Sequence, residues 1–307
     1  MNRDSSRHTA FALCREMLEL PGVVRAFDSA ALKPFIDSGK QCQRILLTGE
    51  GSSRIFPAKH AIWRNQQAAK PLSVSTEGAT QALEYSRADN LVVGASNSGR
   101  TKELIRLFTK LQGHPALFGV TANPDTPLEK LSRHTRVLAC GPEAAVAATK
   151  SVVEQALCLD LLLAGLRGES RNLAWFQELG DALDTVLALP VPPAMVEAFA
   201  KSSRIYYAGR NNGVAEELTL KTNEIIRKKS AFLEGTYAVH GIEEVMDADE
   251  VVLVLDPWEE EEEKFETCLA KGVGMPVVAI STRQTRFPTL ILPKTRQPGM
   301  DAYLQLA

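Results

Sequence analysis

From residue 44 onward, short unbroken apolar runs alternate with stretches patterned at helical spacing. Runs at 44–48, 91–95, 115–121 and 135–140 read as strands. The segments starting at Ile55 and Lys102 repeat apolar positions every three or four residues, and 147–167 is a long Ala/Leu/Val-rich helical stretch. Ahead of them, Ala10, Leu13, Met17 and Leu18 predict helices within 9–40. Strands that are continuous Val/Ile/Leu runs, each followed by a helix, predict parallel sheets covered on both faces. The order begins again after the cluster Leu189-Pro190-Val191-Pro192-Pro193. A strand at 203–208, a loop at 209–213 and a helix at 214–228 lead into strands at 250–255 and 276–280 and a short edge strand at 290–292. The fold class is therefore α/β, with two related halves joined near 170–200. The acid run Glu259 to Glu263 reads as a solvated helix start, where carboxylates suit the helix dipole.

Length agrees with two domains, since 307 residues is about twice a typical ~150-residue domain. A 45% hydrophobic, 23% charged composition supports sizeable cores. A net charge of −2 gives no field that favours nucleic acid or an anionic membrane, and neither is expected as a partner. No apolar run reaches the ~20 residues of a membrane span, and Met1 to His8 lacks a signal-peptide core, so a cytoplasmic location is expected. Cys14, Cys42, Cys140, Cys158 and Cys268 are odd in number and scattered, which fits reduced structural thiols. No histidine spacing suggests zinc; neither a metal nor a cofactor is expected.

Two loops carry the candidate chemistry. Gly49-Glu50-Gly51-Ser52-Ser53 and Ala95-Ser96-Asn97-Ser98-Gly99-Arg100-Thr101 each follow a strand and open a helix. Hydroxyls and first-turn N–H groups at such a place attract an anion. No lysine follows the glycine as in a P-loop, and Arg54 replaces the last glycine of a dinucleotide fingerprint. A phosphate monoester is the natural ligand; plain serine capping of helices is the competing explanation. Lys221 and Glu224 share a helix face, as surface ion pairs also do, and His240 stands in a polar loop.

Taken in order, these loops, together with Val146-Ala147-Ala148-Thr149-Lys150, Gly209-Arg210 and Leu220-Lys221-Thr222-Asn223-Glu224 followed sixteen residues later by His240-Gly241, resemble the sugar isomerase (SIS) domain family. The resemblance is to two-domain enzymes related to the isomerase half of glucosamine-6-phosphate synthase. It implies two SIS subdomains at 44–172 and 173–307, each a doubly wound, Rossmann-like parallel sheet, after an N-terminal helical segment at 1–43. It also implies a homodimer or dimer of dimers with a shared active site. The substrate's phosphate would go to Ser52, Ser53, Ser96, Ser98 and Thr101, with Asn97, Ala147 and Ala148 also lining the ligand. Glu224 matches the base that moves a proton between sugar C1 and C2, Lys221 an active-site lysine, and His240 a ring-opening histidine. The implied activity is aldose–ketose isomerisation of a sugar phosphate. Deamination or deglycation of an amino-sugar or fructosamine phosphate, and phosphosugar sensing without catalysis, stand as alternatives.

Some positions depart from the family. Arg100 replaces an acidic or small residue and, with Arg54, makes the pocket mouth positive, which would also suit a sulfo-sugar. Ile242 follows His240-Gly241 where relatives often have proline. The pattern starts near residue 44, with no glutamine-hydrolysing domain expected ahead of it, and 299–307 looks like the opening of a helix that relatives continue into a tail.

Overall fold

The computed structural model describes Met1 and Asp4–Ala307. Five parallel strands form the first sheet: β1 (Arg44–Gly49), β2 (Ser73–Gly78), β3 (Asn90–Ala95), β4 (Leu117–Thr121) and β5 (His134–Val137), in the order β2-β1-β3-β4-β5. Five more form the second: β6 (Arg204–Gly209), β7 (Lys229–Glu234), β8 (Val251–Leu255), β9 (Val277–Ser281) and β10 (Thr289–Ile291), in the order β10-β9-β8-β6-β7. All pairings are parallel. The helices used below are α1 (Ala12–Arg25), α2 (Ile55–Gln66), α3 (Lys102–Lys110), α4 (Lys150–Leu166), α5 (Leu173–Ala188) and α6 (Val214–Ile225). The chain divides into two compact units between Gly180 and Asp181, inside α5 and ahead of the proline cluster. The N-terminal helical segment belongs to the first unit, where α1 packs on α4.

The two strands that the apolar pattern did not show are β2 and β7. Both are sheet edges and both are half-wet, so neither is a continuous apolar run. Helix α6 ends at Ile225 rather than at 228, because Arg227 takes a positive φ of 54° and turns the chain into β7. Strand β5 stops at Val137, three residues short of the predicted end. Past it, the buried Glu154 carboxylate draws off the amides of Ala139 (2.9 Å) and Cys140 (2.7 Å).

The acid run is only partly a solvated helix start. Glu259–Glu261 is a 3-10 turn and Glu262–Phe265 a short helix, yet Glu262 is buried. It pairs with Arg283 (2.6 Å) and accepts from the Arg286 amide (2.8 Å), which supplies the compensation that a buried charge needs.

In the first unit Leu46, Val92, Leu104, Leu107, Phe108 and Leu117 pack between sheet and helices. Gly94 is required there, since a Cβ would meet the Phe108 ring at 2.5 Å. In the second unit Tyr206, Val252, Val254, Phe265, Leu269 and Val277 do the same. Among the described residues no single helix is long and apolar enough to cross a membrane. The five cysteines are free thiols, and burial pushes the Cys158 thiol up to about 12.

His60 lies fully buried on α2 between the Phe56 and Trp63 rings, at 5.1 and 6.0 Å between centroids. Burial, with Arg64 adding to it, pulls its imidazole down to about 3. The unfolded chain binds this proton near pH 6.5 and the folded chain does not, so His60 withdraws stability as pH falls from about 6.5 towards 3. The slope is at most about 1.4 kcal/mol per pH unit. Asp160 works the other way: burial raises its carboxyl, so acid relieves it. Acid titration followed by circular dichroism should show His60→Leu tolerating lower pH than the parent. An unchanged acid midpoint would remove His60 from the account.

Candidate functional site

Both sheets reverse their strand order once, between β1 and β3 in the first and between β6 and β8 in the second. In open α/β sheets that reversal opens a crevice at the carboxyl ends of the strands. At the first crevice β1 ends at Gly49, whose missing Cβ leaves room for the Ala95 carbonyl of β3, at 2.6 Å from where a Cβ would be. Gly51 (φ 53°) bends the chain into the 3-10 turn Gly51–Ser53, which holds Ser52 and Ser53 half-buried. Glu50 is turned elsewhere, accepting the Ala79 amide at 2.9 Å. The Nε of Arg54 is buried with no hydrogen-bond partner.

After β3, Gly99 (φ 63°) lies so close on Thr126 that no side chain would fit. That turn brings three hydroxyls together. Ser96 Oγ is 2.8 Å from Thr101 Oγ1 and 3.5 Å from Ser98 Oγ, and Ser98 Oγ accepts the Arg100 amide at 3.2 Å. Thr101 occupies the N-cap position of α3 but makes no side-chain capping bond. The capping explanation therefore fails for this cluster, and the first-turn amides of α3 are left for an incoming acceptor. Arg100 is exposed beside them.

Asn97 has a different part. Its amide donates to Glu143 (3.1 Å) and Ser151 (3.2 Å), and its carbonyl accepts from Thr121, Ala122 and Asn123. Glu143, which the sequence pattern does not single out, also accepts from the Thr149 amide (2.7 Å), the Thr149 hydroxyl (3.0 Å) and the Ser151 hydroxyl. One carboxylate thus ties the hydroxyl loop to the start of α4. The small residues expected to open that helix precede it: α4 begins at Lys150, with Ala147 buried and Ala148 half-buried in the loop before it. Glu143 holds one side of this loop. On the other side, α1's Glu16 accepts the amides of Ala144 and Ala145, and Glu19 pairs with Lys150 at 2.5 Å. Burial is the largest single influence and opposes the Lys150 charge, but the hydrogen bond and negative charge of Glu19, with Cys140 and Glu143 adding to them, together hold the ammonium above its ordinary range.

At the second strand-order reversal the chain's own arginine bridges the ends of β6 and β8. Arg210, at the end of β6, reaches Asp256 Oδ2 (3.2 Å) and the Asp256 carbonyl, and its guanidinium lies 4.3 Å from the Trp258 ring centroid. The remaining expected residues of this unit stand elsewhere. Gly213 (φ 87°) opens α6, which carries Lys221 and Glu224 one turn apart. Lys221 Nζ lies 3.1 Å from Glu224 and 3.4 Å from Glu217. Glu217 is fully buried, Lys221 is 14% exposed and Glu224 is 36% exposed, so this is no ordinary solvated pair. Glu217 escaped the sequence reading, although its i,i+4 spacing to Lys221 is a signal. Asn223 accepts the Ser230 hydroxyl (2.9 Å) and fastens the helix to β7. His240 follows the short 3-10 turn Tyr237–Val239, is exposed, and lies 3.0 Å from Lys264 Nζ. The structure brings Ser96, Ser98 and Thr101 together and Lys221 with Glu224; it pairs His240 with Lys264.

Residues 40–165 match the family model described as SIS domain. The first unit is built on a SIS domain. The second repeats the same architecture, so the chain carries two SIS-type sheets. Residues of the chain are 27% identical over 207 positions to a glutamine–fructose-6-phosphate aminotransferase (isomerizing) of Sulfurisphaera tokodaii, covering 64% of this chain and 34% of that protein. The chain thus spans about a third of the length of that curated relative. Among solved structures, tagatose-6-phosphate ketose/aldose isomerase from Escherichia coli superposes with a TM-score of 0.79 at 21% identity, covering 98% of this chain and 93% of that one. Glucosamine-6-phosphate deaminase from Thermotoga maritima does so with a TM-score of 0.70 at 17% identity, covering 96% and 91%. At these identities the superpositions establish a shared fold.

Proposed function

We propose that this chain is a phosphosugar aldose–ketose isomerase that moves a proton between C1 and C2 of an open-chain sugar phosphate. The observation that carries this reading is the hydroxyl cluster of Ser96, Ser98 and Thr101 at an uncapped helix N-terminus, at the strand-order reversal of a SIS domain. Such a cluster fits a phosphate, which accepts several hydrogen bonds at once and is favoured by the helix dipole. Ser52 and Ser53 add donors on the β1 side. Binding energy from the phosphate then serves to orient the far end of the sugar.

The chemistry at C1 and C2 needs one base that takes a proton from carbon and returns it to the neighbour. Glu224 has that role in this reading. Its neighbour Lys221 supplies positive charge for the enediolate oxygen, and His240 assists opening of the ring. The interconversion is redox-neutral, so the reaction itself calls for no electron carrier. Ile225, Ile226, Tyr237 and Val245, large apolar side chains near Glu224 and His240 in the chain, are all exposed. A second copy covering them is the assembly we propose, and light scattering checks it.

The test is proton NMR in D₂O with a panel of ketose, aldose, amino-sugar and fructosamine 6-phosphates. Deuterium entering at C1 or C2 with interconversion supports the isomerase. Release of ammonia or an amine moves the reading to a deaminase or deglycase, and binding without exchange moves it to a sensor. Within the same assay Ser98→Ala should raise KM about tenfold with kcat little changed, as expected for one lost hydrogen bond to a charged group. An unchanged KM would take Ser98 out of the anion site.

A further inference from the structure

Lysine ammonium has three donors and no acceptor. The nitrogen of His240 that lies 3.0 Å from Lys264 Nζ is Nε2. With the ammonium as donor, that nitrogen presents its lone pair, which places the proton of a neutral ring on Nδ1. Of the charged groups on the elements packed around the histidine, Glu243, Glu262 and Glu263 have other partners. Glu243 accepts the Gly241 amide, and Glu262 is bound by Arg283 and the Arg286 amide. Glu263 lies 3.9 Å from Arg286, while Glu244 is exposed. Glu234 is exposed at the end of β7, and Lys229 stands at that strand's start. His240 is exposed, and Gly241 (φ 103°) after it has open space where a side chain would be.

We propose that Lys264 is a positioning residue for His240, holding the imidazole as the Nδ1–H tautomer with that N–H directed to the sugar. The inference rests on the role given to His240 in the reading above. In ring opening the C2–O5 bond breaks and its electron pair goes to O5, which takes the Nδ1 proton. Nε2 takes a proton from Lys264, the anomeric hydroxyl becomes the C2 carbonyl and loses its proton to water, and water returns one to Lys264. Free neutral imidazole prefers the proton on Nε2, so without Lys264 the donor is on the wrong nitrogen.

Two measurements on the full chain test this. Nitrogen-15 NMR of labelled protein at neutral pH reads the His240 tautomer, expected as Nδ1–H in the parent and shifted towards Nε2–H in Lys264→Met. Turnover is then compared on fructose 6-phosphate and on 5-deoxyfructose 6-phosphate, which has no C5 hydroxyl and cannot close its ring. The ratio of the rates, ring former to open chain, should fall about tenfold or more in Lys264→Met. An Nε2–H parent, an unshifted tautomer in the variant, or an equal loss on both substrates overturns the proposal; the last is what a purely structural lysine would give. If the parent shows the Nδ1–H tautomer and the variant's shift but neither substrate exchanges deuterium, the isomerase reading fails while the Lys264–His240 pair stands.

Discussion

Glu224→Gln is expected to lower C1/C2 proton exchange by about 10² to 10⁴ while a phosphosugar still binds. Glutamine keeps the size of the side chain and an oxygen for the Lys221 ammonium now 3.1 Å away, so α6 should retain its packing. What it loses is the basicity needed to take a proton from carbon. Binding is read by the thermal shift that a sugar phosphate produces, and turnover by deuterium incorporation. Exchange at the parent rate would remove Glu224 as the base. Loss of both binding and exchange would show that the substitution disturbed more than chemistry, and the fully buried Glu217 beside Lys221 is the place where such a disturbance would begin.

Glu143→Ala is expected to destabilise the first unit by about 2–4 kcal/mol and to raise KM for the sugar phosphate. The carboxylate accepts from Asn97, from the amide and hydroxyl of Thr149 and from the hydroxyl of Ser151, and Ser151 is fully buried. Removing a charged acceptor shared by several donors costs more than one ordinary hydrogen bond, because buried donors are left without a partner. Glu143 is itself half-buried, so water recovers part of the loss. Asn97, in turn, stands beside Ser96 and Ser98, so its release loosens the hydroxyl cluster. Urea unfolding read at the denaturation midpoint, with the slope unchanged, measures the first effect. Glu143→Gln, which keeps one acceptor oxygen, should fall between parent and alanine. A midpoint within about 0.5 kcal/mol of the parent would sink the brace.

The central strands and the two glycine- and hydroxyl-rich loops were legible from the chain itself. A strand buried on both faces, such as β3 or β8, must be a run of apolar residues, and a turn into a helix needs glycine and hydroxyls. Edge strands β2 and β7 were not legible, because one wet flank frees their side chains from that requirement. Glu262 was read as solvated along with its four acidic neighbours, and only Arg283 and the Arg286 amide, arriving from beyond β9, make its burial tolerable. Glu143, Glu16 and Lys264 carry no local signature at all. Each acts on a partner far away in the chain: Glu143 lies 46 residues from Asn97, Glu16 lies 128 from Ala144, and Lys264 lies 24 from His240.

Local chemistry also separates what belongs to each level. Glycines at positive φ, hydroxyls after a strand and the i,i+3 pair of Lys221 and Glu224 depend on a few neighbouring residues, so the sequence by itself determined the α/β class, the hydroxyl loop and that pair. Whether a hydroxyl caps a helix or is left for a ligand depends on what else reaches it. Tertiary structure decided that Ser96 and Thr101 bond each other, that Arg210 pairs with Asp256 across the ends of β6 and β8, and that Lys221 lies against a fully buried carboxylate. The physical reason is that hydrogen bonding and burial are satisfied by whatever lies nearest in space, and packing brings those partners from distant parts of the chain.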